Sequence, residues 1–151
     1  MQTITRRRAL GLGASAVLVL TVADVTGALA TPAETDAEIA KFTGGKTPVQ
    51  GKIAIDLPEI AENGNTVPLS IVVDHPMTEQ SYISDILVVA DGNPRPGVAA
   101  FHLTPASGKA TAATRIRLQT TQNIIVVAKT NSGQLFTDRK QVKVTIGGCG
   151  G

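Results

Sequence analysis

Asn123-Ile124-Ile125-Val126-Val127-Ala128-Lys129 is the stretch on which the fold turns. Its apolar run is nearly unbroken, which predicts a central strand buried on both faces of a sheet. Downstream, Asn131-Ser132-Gly133 turns the chain, and residues 134–146 read as a long final strand with Val142, Val144 and Ile146 on one face. Upstream, residues 112–119 (AATRIRLQ) alternate, with Ile116 and Leu118 facing in and Arg115 and Arg117 facing out.

The same alternation continues towards the N-terminus. Residues 98–103 and 82–89 (YISDILVV) form two more strands, parted by the turn residues Asp91-Gly92-Asn93-Pro94-Arg95-Pro96-Gly97. Asp74-His75-Pro76-Met77 is a bend, and residues 67–73 (VPLSIVV) form a strand with Pro68 near its start, where a lost N–H matters least. Glu62-Asn63-Gly64-Asn65 is a turn built on Asn-Gly, and Lys52-Ile53-Ala54-Ile55-Asp56-Leu57 alternates up to Pro58. About seven strands separated by turns, with hardly any helix, predict an all-β, immunoglobulin-like antiparallel β-sandwich. A small Greek-key barrel is the alternative.

Before the strands, Thr31-Pro32-Ala33-Glu34 reads as a capping box. Ala33, Ala37, Ile39, Ala40 and Phe42 then allow a short amphipathic helix over about 32–43, stopped by Gly44-Gly45. That helix could dock on a partner or lie on the domain's own surface. Residues 1–30 read as a Tat-type signal peptide. Arg6-Arg7-Arg8 precedes an apolar run from Gly11 to Val22, and Ala28-Leu29-Ala30 offers a small-x-small cleavage site. The apolar run is too short and glycine-rich for a stable span, so cleavage near Ala30 is expected rather than a permanent anchor. The resulting organisation is a leader (1–30), a sandwich with its N-terminal helix (31–146) and an arm (147–151).

Of 14 basic and 12 acidic residues, three arginines and Asp24 fall in the leader, which leaves 11 of each sign in the rest. A net charge of zero there removes the electrostatic case for nucleic-acid binding. Tryptophan is absent and aromatics make up 3%, so the core must be built from Val, Ile, Leu and Ala. No nucleophile elbow, metalloprotease helix, phosphate loop or dinucleotide fingerprint is present. The two histidines, His75 and His102, have no cysteine or acidic cluster at metal-ligand spacing. Neither a metal nor a catalytic group of the chain's own is expected.

One chemical handle is left. Cys149 is the sole cysteine and lies in Gly147-Gly148-Cys149-Gly150-Gly151. Glycine on both sides leaves the sulfur unshielded and the backbone free, so a flexible arm is predicted. At roughly 3.3–3.6 Å per residue the arm carries the thiol on the order of 10 Å beyond the last strand. No histidine or lysine is near in sequence to ionise it, and a free thiol is only a few per cent thiolate at neutral pH. The activating environment should therefore come from a partner, which is the logic of a carrier.

The Gly-Gly-Cys-Gly-Gly end closely resembles that of the SoxY family, sulfur-carrying subunits of the periplasmic thiosulfate-oxidising system. Glu62-Asn63-Gly64-Asn65-Thr66-Val67-Pro68, Pro76-Met77, Asn93-Pro94 and Arg115-Ile116-Arg117-Leu118 are similar to that family too. The likeness covers roughly Phe42 to Gly151, with a Tat-like leader besides; His75 stands where a serine is usual.

The resemblance implies that Cys149 accepts thiosulfate oxidatively, as an S-thiosulfonate, from a c-type cytochrome pair, SoxA and SoxX. A di-manganese hydrolase, SoxB, would release sulfate, and a sulfur dehydrogenase would oxidise the remaining sulfane sulfur. It also implies a tight heterodimer with SoxZ, and no cofactor beyond the covalent cargo. Gly147, Gly148, Gly150 and Gly151 would form the arm. Two rivals remain at this level: a ubiquitin-like sulfur carrier, disfavoured by the leader and by a cysteine ahead of the last glycines, and an exported sandwich whose Cys149 tethers two chains by a disulfide. An enzyme ranks last.

Overall fold

A computed structural model describes residues 32–147. Helix α1 (Pro32–Thr43) precedes nine strands: β1 (Val49–Gln50), β2 (Ile53–Asp56), β3 (Ile60–Asn63), β4 (Val67–Val73), β5 (Ile83–Ala90), β6 (Gly97–His102), β7 (Thr111–Ile116), β8 (Gln122–Thr130) and β9 (Leu135–Ile146). One sheet runs β1-β9-β8-β5-β6 with β3 also beside β9, and the other runs β2-β4-β7. The two layers make the expected all-β sandwich.

Period-two patterning builds the core. In β4 Val67, Leu69, Ile71 and Val73 are buried, Pro68 and Val72 are exposed and Ser70 is half-buried. These meet Ile86, Val88, Ile124 and Val126 of the larger sheet, all fully buried. Strand β8 lies between β5 and β9, the central position its apolar run predicts. Its Val127 is buried outside the inter-sheet core, as are Leu87 and Val89 of β5.

Helix α1 packs against β5. Thr35 and Thr43 are buried, Ile39 and Phe42 are half-buried, and Lys129 Nζ sits 4.8 Å from the centre of the Phe42 ring. Positions 35, 39, 42 and 43 share one helical face. Ala33, Ala37 and Ala40 of the expected apolar face are exposed instead. The threonines are small enough to bury, while an exposed alanine forfeits little apolar area. Thr31 of the predicted capping box lies outside the described residues, as does the predicted leader.

Two short strands add to the seven. β1 and β3 both run parallel to β9, so the larger sheet is not wholly antiparallel. β3 takes in Glu62 and Asn63, and the turn begins at Gly64, where Asn65 N–H donates to Asn63 Oδ1 at 2.9 Å. β7 stops at Ile116 rather than at residue 119, because the Leu118 N–H leaves the ladder and donates to the Gly64 carbonyl at 2.8 Å.

Candidate functional site: the exit of the C-terminal arm

The last strand is the lever that sets where the chain leaves the domain. Over residues 135–142 β9 is paired with β8. Beyond Val142 it parts from β8 and continues on β3, with Lys143 opposite Ile60, Val144 opposite Ala61 and Ile146 opposite Asn63. On the vacated side one side chain replaces a strand: the Val144 N–H donates to Thr121 Oγ1 at 3.0 Å. On the other side the Thr145 hydroxyl donates to the Glu62 carbonyl at 2.9 Å. The Gly64 N–H donates to the Ile146 carbonyl at 2.8 Å, and Gly64 in turn accepts from Leu118. The end of β9 is thus gripped from both edges.

Gly147 is the one arm residue among those described. A Cβ there would run into the Gln119 carbonyl oxygen. Glycine at this position therefore answers to a close backbone approach, and Gly147 roots the arm against the 117–121 loop. Gly148, Cys149, Gly150 and Gly151 lie outside the described residues.

A buried amide network braces that loop. Asn93, 8% exposed, donates from Nδ2 to the Arg117 carbonyl at 2.8 Å. Its Oδ1 accepts from the Gln119 N–H and from Gln122 Nε2, both at 3.0 Å. Gln122 Oε1 accepts from the Gly92 N–H at 2.7 Å. Asp91 holds Asn123 through its N–H and Nδ2, each at 2.8 Å. Each buried polar atom in this brace would cost about 1–3 kcal/mol if left unpaired. Within the same loop Gln119 Oε1 is buried without a hydrogen-bond partner among the described residues.

Three of the four internal stretches singled out in the sequence converge here: the Glu62–Pro68 segment, Asn93-Pro94 and the Arg115–Leu118 segment. Arg115 and Arg117 are exposed, and Ile116 and Leu118 buried, as their alternation predicts. Pro76-Met77 lies at the opposite end, next to the Val73 end of β4. The loop contacts of Gly147 and Gly64 had no local sequence signal, since they join residues far apart in the chain.

The histidines lie elsewhere. His75 Nε2 pairs with Ser81 Oγ at 3.0 Å. Burial, aided by Lys52 and opposed by Asp74, holds its imidazole below the ordinary range. His102 Nδ1 lies 2.7 Å from Asp85 Oδ1, and Lys129 is 3.7 Å from the other carboxylate oxygen. Partial burial works against the Asp85 charge, but Ser84, His102 and Lys129 outweigh it and hold the carboxyl below its usual value. Among the described residues no three His, Cys, Asp or Glu side chains gather as a metal site. No helix among them is long and apolar enough to cross a membrane.

Fold and exit together define a β-sandwich domain that presents its own C-terminal tail from a fixed root. The family model of the sulfur oxidation protein SoxY matches residues 39–149, a span that ends on the cysteine itself. The chain belongs to the SoxY family. Its structure is similar to that of the sulfur carrier protein SoxY from Chlorobium limicola f thiosulfatophilum, at 32% identity and a TM-score of 0.63, over 77% of this chain and 100% of that one. It also resembles the E23A superoxide reductase (neelaredoxin) of Ignicoccus hospitalis (18% identity, TM-score 0.56, 72% and 86% of the two chains). The superoxide reductase of Nanoarchaeum equitans is similar again (12% identity, TM-score 0.54, 64% and 100%). At those identities the likeness to the reductases is one of fold alone. No curated protein matches the sequence.

Proposed function

We propose that this chain is a sulfur carrier, holding thiosulfate and its sulfur intermediates covalently on Cys149 and presenting them to partner enzymes. The observation that carries the reading is the family match that runs up to Cys149, joined to a root that fixes where the tail departs. In the loading step the cysteine thiolate and thiosulfate form one S–S bond and give up two electrons, leaving Cys–S–S–SO3⁻. A SoxAX-like cytochrome pair takes those electrons. Hydrolysis by a SoxB-like enzyme then breaks the terminal S–S bond. Water supplies the fourth oxygen of sulfate, two protons are released and a persulfide stays on Cys149. A sulfur-dehydrogenase-like partner oxidises that remaining sulfur.

The chain itself acts as a platform and supplies no acid, base or cofactor. No histidine or lysine adjoins Cys149 in the sequence, so each partner provides the activating pocket. A SoxZ-like subunit completes the carrier as a heterodimer. Residues 1–30 direct export to the periplasm through the Tat route and are removed near Ala30, leaving the sandwich (31–146) and the arm (147–151).

Intact-mass spectrometry of the mature protein, purified with its partner from thiosulfate-grown cells, tests this reading. A reductant-sensitive thiosulfonate or sulfane adduct mapped to Cys149 is expected. An unmodified thiol or only a chain-to-chain disulfide, with Cys149→Ser cells still consuming thiosulfate, would overturn it in favour of a tether.

A further inference from the structure

We infer that Thr121 is a positioning residue for the enzymes that act on the carrier: its hydroxyl fixes the direction in which the end of β9 leaves the domain. The inference rests on the carrier reading.

Burial shows that packing alone does not set that direction. Val142, Val144 and Ile146 share one face of β9. Along that face Val142 is fully buried, Val144 is half-buried and Ile146 is 68% exposed. Beyond Val142 the pairing of β9 passes from β8 to β3. A two-stranded ribbon of this kind has little stability of its own. Its aim depends on what ties it to the body.

Two residues of the 117–121 loop tie it. The Leu118 N–H reaches the Gly64 carbonyl just after β3, a backbone bond that does not depend on the leucine side chain. The other tie is made by a side chain. Thr121 Oγ1 accepts from the Val144 N–H at 3.0 Å and donates to the Val144 carbonyl at 3.5 Å. A hydroxyl is donor and acceptor at once, so one side chain meets both groups that a neighbouring strand would have taken. Valine has the same shape and can do neither.

Thr121 is exposed, so water competes for these bonds. Their loss should change the population of the aimed ribbon about 2- to 12-fold, equivalent to about 0.5–1.5 kcal/mol. An enzyme that grips the body of the carrier must find the sulfur where the ribbon sends it. A pivoting ribbon engages less often but, once engaged, delivers the same group to the same chemistry. The cost falls on KM and leaves kcat unchanged.

The mature carrier with its partner subunit provides the test. Tetrathionate loads the thiolate directly: the sulfur attacks a central sulfur of tetrathionate, Cys–S–S–SO3⁻ forms and thiosulfate leaves. Loaded carrier is then titrated into the hydrolase that releases sulfate from it. Thr121→Val should raise KM about 2- to 12-fold at unchanged kcat, and Thr121→Ser should restore the parent value. The rate of loading by tetrathionate, which needs no docking, should be the same in all three proteins. Hydrogen exchange at the Val144 amide should be faster in Thr121→Val. Thr121→Ala serves for the same readouts should valine disturb the loop.

Faster exchange at Val144 with an unchanged KM would reduce Thr121 to a local brace. Unchanged exchange would mean that its hydroxyl does not hold the strand. Either result overturns the inference and leaves the carrier reading standing. Failure of the carrier reading is read separately, from the absence of any adduct on protein taken from thiosulfate-grown cells.

Discussion

The two ends of the sandwich are held by different chemistry. At the end where Val67 of β4 faces Ile116 of β7, neutral amides and backbone groups grip the root of the arm. At the end where Val72 faces Thr111, the Asp74–Met77 bend rests on His75. That imidazole lies 6.0 Å from the Phe136 ring, Lys52 Nζ sits 5.2 Å from the same ring, and His75 Nδ1 is buried without a partner among the described residues. Asparagine and glutamine do not titrate, and histidine does. The asparagine and glutamine amides at the exit thus carry no charge to change where the far end titrates.

The largest effect expected at the exit is chemical. Cys149→Ser should abolish the sulfur adduct while leaving the unfolding midpoint of the sandwich unchanged, as mass spectrometry and urea denaturation would show. Loss of the midpoint as well would mean that tail and body are not separable.

Next comes Asn93→Ala, which strands the Arg117 carbonyl, the Gln119 N–H and a Gln122 donor. A loss of about 2–3 kcal/mol is expected from urea unfolding. Ser81→Ala at the far end removes a single part-exposed bond and should cost less than about 1 kcal/mol. Equal losses at both sites would erase the contrast between the ends.

Gly147→Ala should act locally, pushing the end of β9 off Gln119 and costing at most about 1 kcal/mol overall. Faster hydrogen exchange at the Gly64 amide, which donates to Ile146, is its signature. Protection as in the parent chain would mean that the root tolerates a Cβ.

The smallest effect belongs to His75. Its folded pKa lies below the ordinary imidazole value, so the unfolded chain takes the proton more readily. Stability is therefore full above that value and falls as the pH drops below it, levelling off once both states are protonated. Thermal unfolding between neutral and mildly acidic pH should show a shallow decline that His75→Gln flattens. The exchange rate at Gly64, corrected for its intrinsic pH dependence, should not follow.

Much of this was legible in the sequence, for identifiable reasons. The alternation of residues 67–73 and the apolar run of residues 123–129 specify which faces are buried, and both strands sit where those patterns place them. β1 and β3, of two and four residues, carry too little pattern to be seen, and each depends on a partner from the other end of the chain. The helix was legible but its buried face was not, because Thr35 and Thr43 look polar and Ala33, Ala37 and Ala40 look apolar. Of the site, the cysteine and its glycines were visible as composition. The contact of Gly147 with Gln119 was not, since a close backbone approach leaves no local trace beyond the glycine itself.

The parallel pairing of β1 and β3 with β9 also has a kinetic side. Val49 meets Phe136 and Ile60 meets Lys143, more than eighty positions apart in each case. Loops of that span close late, because their entropy is lost before any contact repays it. While the chain is being made, β2 and β4 can pair early, but β1 and β3 stay unmatched until β9 has been added. The root of the arm is thus among the final parts of the domain to form, and a thiol offered from it marks a carrier that has finished folding.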